Sequence, residues 1–386
     1  MKIKKLLAIF LSALVIFTIA APAASAITKP EAAHLSFSED GKFRILNFSD
    51  SQDGANLSWF TKAFMRRAVS ELKPDLIVLT GDNISGPSTR SYKRSEKAIR
   101  QFMDIFAESG VPVAIVFGNH DDEKANMSKE EQMKVYESYP NNISFDEGED
   151  IYGVGTYNVP IYSSTDENKV AFNLWMIDSG SYDLVNGGYD HVHQDQLDWY
   201  KQTSDRLAEE NGGKVPSIAF QHIIVPEIYD ALKEVPKGTP EAISARGTYY
   251  TLPDNATPDS ILGEGPCPGT VNSGEFETFR QQGDVLAIVT GHDHINSFRL
   301  NYKGVDLINT PTCGFGAYGN DKTRGVRVID INENDPENFE TQVYLFDKVI
   351  KKDTFVYIIY KIYNFFDRIG DWFGDVFESI RDRIVK

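Results

Sequence analysis

The chain predicts an α/β fold around a mainly parallel sheet, because short apolar runs alternate with segments of helical period and each run stops in a polar cluster. Later runs are shorter, alternating and turn-bounded, which adds antiparallel strands closing a second sheet. In order, "FRILNFSD" is a strand, the pattern around Trp59 to Leu72 a helix, "LIVLTGD" a strand, Arg94 to Ala107 a helix and "VPVAIVFGN" a strand. "VAFNLWMID", a helix from about Gln194 to Ala208, "SIAFQH" and "VLAIVTGHDH" repeat the habit. "SFRLNYKG", "VDLINTP", "GVRVIDI" and "ETQVYLF" are the antiparallel candidates. Glu234 to Gly274, rich in Pro, Gly, Ser and Thr, is expected to be a long ordered loop near the site.

The termini and the charge narrow the function. Lys2, Lys4 and Lys5 precede an apolar run from Leu6 to about Ala21, and Ala24-Ser25-Ala26 follows: the order of a secretory signal peptide over residues 1–26. The mature chain is expected to start at Ile27 and to be secreted or extracellular, with cell-surface association open. A formal net charge of −17 repels polyanions, so no nucleic-acid backbone is expected as partner. There is no basic stripe either, which makes a metal the economical source of positive charge at an anion site. Cys267 and Cys313 permit a disulfide in an oxidising exterior without requiring one.

After "VYLFD", Phe355, Ile358, Ile362, Phe366, Ile369, Phe373 and Phe377 are among apolar residues recurring at helical spacing. An amphipathic helical tail is expected over 348–386, continuous or broken near Gly370 and Gly374. Charges after Lys361 argue against a membrane span. Packing on the body of the protein or on a second subunit is one reading. Membrane-surface contact through the tail is the other.

The polar clusters at strand ends form one set: Asp50 and Gln52 in "SDSQD", Asp82 in "TGDN", Asn119 and His120 in "GNHD", His222 in "FQH", His292 and His294 in "GHDH". Ligands of open α/β sheets bind outside the carboxyl ends of the strands. Any one of these residues alone is more often a cap, a turn or a hydrogen-bonded core histidine. Together they offer carboxylate, amide and imidazole donors, which suit Zn, Mn or Fe better than an all-oxygen calcium cage.

Their order, with "VFGNHDDE", "QHIIVPEIY", "VNSGEF" and "GHDHINSF", resembles the calcineurin-like metallophosphoesterase superfamily, in the branch related to purple acid phosphatases, over roughly residues 43 to 347. The resemblance implies a four-layer α/β/β/α sandwich of two mixed sheets flanked by helices, with the catalytic domain over 35–347 and the amphipathic tail after it. It also implies two metal ions (Fe, Mn or Zn) and cleavage of phosphate esters by a hydroxide held on them. Carried over by position, Asp82 bridges the ions, Asp50 and His294 complete much of the first shell, and Asn119, His222 and His292 hold the second. His120 stands outside both shells as stabiliser or proton donor, with Asp121 a candidate to orient it. Phosphodiesterase or nucleotidase activity, or a non-catalytic cell-surface binding role, are the alternatives.

Two positions depart from the family. Gln52 stands where a histidine is usual, so the first ion should be held more loosely. Ser85 stands where purple acid phosphatases place a metal-binding tyrosine, so no charge-transfer colour is expected. His191 and His193 precede a helix and suit a cap or pocket rim better than ligation. Asn272 and Ser273 read as loop structure.

Overall fold

All five residues of Leu76–Thr80 are buried, so this segment can only be an interior strand covered on both faces. The computed structural model describes residues 34–148 and 150–363. The expected signal peptide and the tail from 364 onward lie outside the described residues. The strands are β1 (Lys42–Phe48), β2 (Leu76–Thr80), β3 (Val113–Val116), β4 (Tyr157–Tyr162), β5 (Val170–Met176), β6 (Ser217–Phe220), β7 (Lys233–Val235), β8 (Ile243–Ala245), β9 (Thr248–Thr251), β10 (Val285–Thr290), β11 (Arg299–Tyr302), β12 (Val305–Asn309), β13 (Gly325–Asn332) and β14 (Glu340–Leu345).

They form two large mixed sheets, ordered β14-β13-β1-β2-β3 and β11-β12-β10-β6-β5-β4. The neighbours β1, β2 and β3 run parallel, as do β5, β6, β10 and β12. Strand alternation sorts the apolar side chains into three cores. Ile45, Val78 and Ala114 meet Leu174, Ile218 and Ala287 between the sheets. On the other face of the first sheet, Leu46, Ile77 and Ile115 pack on Phe64 and Phe102 of the helices Trp59–Leu72 and Tyr92–Ser109. Trp175, Ala219 and Ile288 likewise pack beneath Leu197 and Phe279 of the helices Gln194–Asn211 and Glu275–Gln282. The result is the four-layer α/β/β/α order.

Two expectations need correction. The four late strands do not close the second sheet together. β13 and β14 extend the first sheet from the edge of β1, whereas β11 and β12 extend the second from β10. Alternation identifies a strand but not its partner, and each sheet had an open edge to fill. The 234–274 stretch is not all loop, since β7, β9 and β8 make a small antiparallel sheet around the β-branched and aromatic run Thr248–Thr251. The disulfide that the sequence left open is not formed: Cys267 is exposed, Cys313 is buried, and both are free.

The tail begins inside the body of the protein. Helix Phe346–Ile350 is followed by a break at 351–353 and a second helix over 354–363, to which Asp353 donates a cap by accepting the Val356 N–H at 3.1 Å. Val349, Ile350, Val356 and Tyr360 are buried in the core under the first sheet. At roughly 1.5–3 kcal/mol per buried side chain, those contacts seat the segment firmly. Among the described residues no helix is long and apolar enough to cross a membrane.

Candidate metal centre

Each candidate donor sits just beyond the carboxyl end of a parallel strand: Asp50 and Gln52 after β1, Asp82 after β2, Asn119 and His120 after β3, His222 after β6, His292 and His294 after β10. The chain turns there at a conformational cost. Asp50 (φ 52°), Gln52 (φ 40°), Asp82 (φ 49°) and His292 (φ 71°) all occupy the left-handed region, at about 1 kcal/mol or more each for residues with a Cβ. Glycine is required between them for another reason. A Cβ on Gly118 would overlap the Asp82 carboxyl, and one on Gly291 would overlap the Ser49 hydroxyl beside Asp50.

These turns bring the donors together. Single donor atoms of Asp82, His222 and His292 lie within 4.8 Å of one another, as do those of Asp50, Asp82 and His294. Asp82 belongs to both sets. Its Oδ2 is 3.3 Å from His222 Nε2, and Asp50 Oδ1 is 3.4 Å from His294 Nε2. The backbone carbonyls of Thr80 and Tyr318 take the Nδ1 of His222 and His294, both at 2.9 Å, so each ring turns a bare Nε2 inward. Asn119 is set the same way: its Nδ2 donates to the Tyr182 hydroxyl at 3.1 Å and its Oδ1 is left over. Asp50 Oδ1, Asn119 Oδ1, His222 Nε2 and His292 Nε2 are buried without any hydrogen-bond partner. Each such orphan costs about 1–3 kcal/mol, and a pair of cations would satisfy all four. The residues therefore fit two metal ions.

The profile described as calcineurin-like phosphoesterase matches residues 43–296. The chain belongs to that family. A protein of Arabidopsis thaliana named probable inactive purple acid phosphatase 29 is 30% identical over 334 residues, covering 78% of this chain and 79% of that protein. Phosphatase DCR2 of Saccharomyces cerevisiae is 26% identical over 79% of this chain and 54% of its own length. Among solved structures, a dimetal phosphatase from Danio rerio aligns with a TM-score of 0.47 at 15% identity, over 78% of this chain and 99% of that one. The family implies a dinuclear metal centre, and the donor sets around Asp82 are the groups available for it in this chain.

Two site expectations change. Gln52 Nε2 donates to Asp82 Oδ2 at 2.6 Å, so the amide presents its hydrogens to the cluster, and ligation through Oε1 requires it to turn over. Asp121 does not touch the His120 ring. Its two oxygens accept the backbone N–H groups of Ile84 (3.0 Å) and Gly118 (2.7 Å), which pins the turn, and burial followed by the charge of Asp82 pushes it up to about 7. The ring partner of His120 is Glu123, with Oε2 2.6 Å from Nδ1. Glu123 was visible as the last letter of "HDDE", one helical turn from His120. His120 also donates its backbone N–H to Asp82 Oδ1 at 2.7 Å.

Protons and metals compete here. Burial depresses both inner imidazoles, but Asp82 overrides it at His222 and lifts that ring to about 10, whereas His292, next to His222, falls to about 3. A cation entering the metal-free site must displace the His222 proton.

Sequence reading missed the aromatic frame of this centre. The Tyr189 ring meets His292 edge-on with centroids 4.3 Å apart, Tyr182 lies 5.7 Å from Tyr189, and Tyr318 stacks on His294 at 4.1 Å. Tyr182 and Tyr189 come from the loop after β5 and Tyr318 from the loop after β12, far in sequence from the donors they meet, so no local spacing announces them. Asp190, His191 and His193 also bring donor atoms within 4.8 Å of one another, but less deeply buried and with the two imidazoles stacked. Their rings are nearly parallel (12°) with centroids 4.6 Å apart, so one ion cannot lie in both ring planes. His193 instead begins helix Gln194–Asn211, its N–H donating to Gln196 Oε1 at 2.7 Å. Asn272 closes a turn by accepting the Gly274 N–H at 2.9 Å.

Behind the centre, burial pushes Glu275 up to about 8 from 4.5, although Gln221 opposes the shift. A carboxyl raised in the folded state adds stability that is complete below pH 4.5 and disappears as pH rises through 8. Glu275→Gln should therefore stabilise the protein relative to wild type at pH 8 by a few kcal/mol, with little difference at pH 4.5. Urea unfolding of both proteins at the two pH values reads this directly. Parallel stability curves would show that Glu275 is ionised when folded.

Proposed function

We propose that this chain is a secreted, dinuclear-metal phosphohydrolase acting on phosphate esters, monoesters ahead of diesters. The observation carrying this reading is that Asp82 is shared by two buried donor sets in which Asp50 Oδ1, His222 Nε2 and His292 Nε2 have no hydrogen-bond partner. When bound, the two ions supply positive charge for the phosphoryl oxygens and lower the pKa of a water so that it attacks at neutral pH. The carboxylates of Asp50 and Asp82 offset only part of that charge, so an anionic ester is attracted despite the acidic surface. His120, held by Glu123, donates a proton to the departing oxygen. Fe, Mn and Zn match the mixed nitrogen and oxygen donors. The basic and apolar order of residues 1–26 supports export.

A second reading, a binding protein that has lost turnover, is favoured by Gln52 and by the word "inactive" in the Arabidopsis thaliana relative's name. Elemental analysis and assays on p-nitrophenyl phosphate and its bis ester, after reconstitution with Mn, Fe or Zn, separate the two. The phosphohydrolase should bind two ions unequally and turn over the monoester. Gln52→His should tighten the weaker ion by about 10–100-fold, the scale of an altered metal environment. Full metal loading of wild type with no turnover of either ester would establish the binding role.

A further inference from the structure

The loop after β5 has a build that catalysis at the metal centre does not explain. Tyr182 and Tyr189 pair across its base in an antiparallel bridge, and these are the residues that touch Asn119 and His292. Its tip is an ordered turn: Asp183 Oδ1 accepts the N–H groups of Val185 and Asn186, both at 2.8 Å, and Thr270 donates to the Gly187 carbonyl at 2.6 Å. That turn holds Leu184 at 95% and Val185 at 91% exposure. Single apolar side chains on a surface are ordinary, but this pair is braced at the tip of a loop whose base touches two of the metal-centre donors.

A second apolar patch lies at the same end of the strands. Trp59 opens the helix that follows β1, and its ring meets Phe355 of the 354–363 helix at 6.3 Å. Phe355, Ile358 and Ile362 face outward there. The chain then continues beyond the described residues with Phe365, Phe366, Trp372 and Phe373. The metal-centre donors thus lie at the end of the strands where the loop after β5 and the helix after β1 carry exposed apolar groups.

We propose that this end docks on a lipid surface and that the substrates are phosphate esters carried on lipids. The substrate half rests on the phosphohydrolase reading; the docking half does not. Three features choose a lipid surface as the occupant. The apolar groups are separate exposed protrusions at one end of the strands, which insert between headgroups without needing a complementary protein face. The chain extends past the second patch with more aromatic residues, which favour the headgroup region. A net charge of −17 removes electrostatic attraction to anionic membranes, so the surface is a zwitterionic one held by apolar contact. Because the loop base touches Asn119 and His292, docking of the tip also steadies the donors that it braces.

The test uses the full chain and its Leu184→Asp/Val185→Asp variant, whose sites are too exposed to disturb folding. Wild type should co-sediment with phosphatidylcholine vesicles, and the variant should bind at least about tenfold more weakly, the loss expected when two apolar side chains no longer leave water. Phosphate release from phosphatidic acid dispersed in those vesicles should fall in parallel, while turnover of soluble p-nitrophenyl phosphate stays unchanged. Equal sedimentation of the two proteins, or none by wild type, overturns the docking surface. A wild-type dimer that the variant converts to monomer overturns it in favour of a second copy of the chain. Binding with hydrolysis of the soluble ester but not of the lipid overturns the substrate class. Binding without hydrolysis of either ester supports docking and refutes the phosphohydrolase reading instead.

Discussion

Asp82→Asn should strip the protein of both metal ions and lower phosphate-ester turnover by about a thousandfold or more, at the upper end of the cost of losing one electrostatic stabiliser of a transition state. The size of the effect follows from position. Asp82 is fully buried, stands in both donor sets, and receives the backbone N–H of His120 and the amide of Gln52. The asparagine keeps the volume and one acceptor but removes the charge, and its NH2 would face Gln52 Nε2 or the His120 N–H. His222, which Asp82 holds protonated in the absence of metal, also loses its counter-charge. Elemental analysis beside a turnover assay on the same preparation reads both consequences, and circular dichroism confirms that the variant is folded. Two ions retained per chain, or turnover within tenfold of wild type, would mean that Asp82 does not join the two donor sets.

Much of this arrangement was legible in the sequence because it depends on local chemistry. An apolar run that stops at glycine and a cluster of donors identifies a strand end, and Asp82, Asn119 and His292 came from that cue, while His222 came from an apolar run that stops at Gln221 without a glycine. What was not legible depends on partners far apart in the chain. β13 looks the same whether it closes the second sheet or pairs with β1, and only the match of Ile45 to Ile329 across the register decides it. The orientation of an amide is similar: Asn119 and Gln52 read as equivalent donors, yet Tyr182 turns the oxygen of one inward while Asp82 draws the nitrogen of the other. The tail lies between these cases. Helical period announced its apolar face, but the break at 351–353 follows from Phe346 and Tyr360 having to reach one aromatic cluster, with ring centroids 4.6 Å apart. Asp353, a capping residue in plain view, marked the restart.

His120→Ala should leave both ions in place and reduce kcat by about 10²–10⁴-fold, the range for a positioned general acid. Its ring is not among the converging donors, so metal content separates this variant from Asp82→Asn. The loss should depend on the leaving group. A p-nitrophenolate departs readily without a proton, whereas an alkoxide does not, so the variant should lose much more on an alkyl phosphate than on p-nitrophenyl phosphate. In the proposed reaction Glu123 would act through His120: its Oε2 lies 2.6 Å from Nδ1, which leaves Nε2 for the departing oxygen. Glu123→Gln should show the same leaving-group dependence at a smaller size, about 10–100-fold, as for other groups that orient a functional residue, with KM little changed because substrate affinity comes from the metal centre. Glu123→Asp, which restores a carboxylate at shorter reach, should recover part of kcat. Equal losses on both esters would remove His120 from proton transfer and leave it as an electrostatic neighbour, and a Glu123→Gln variant that raised KM alone would place Glu123 in substrate binding.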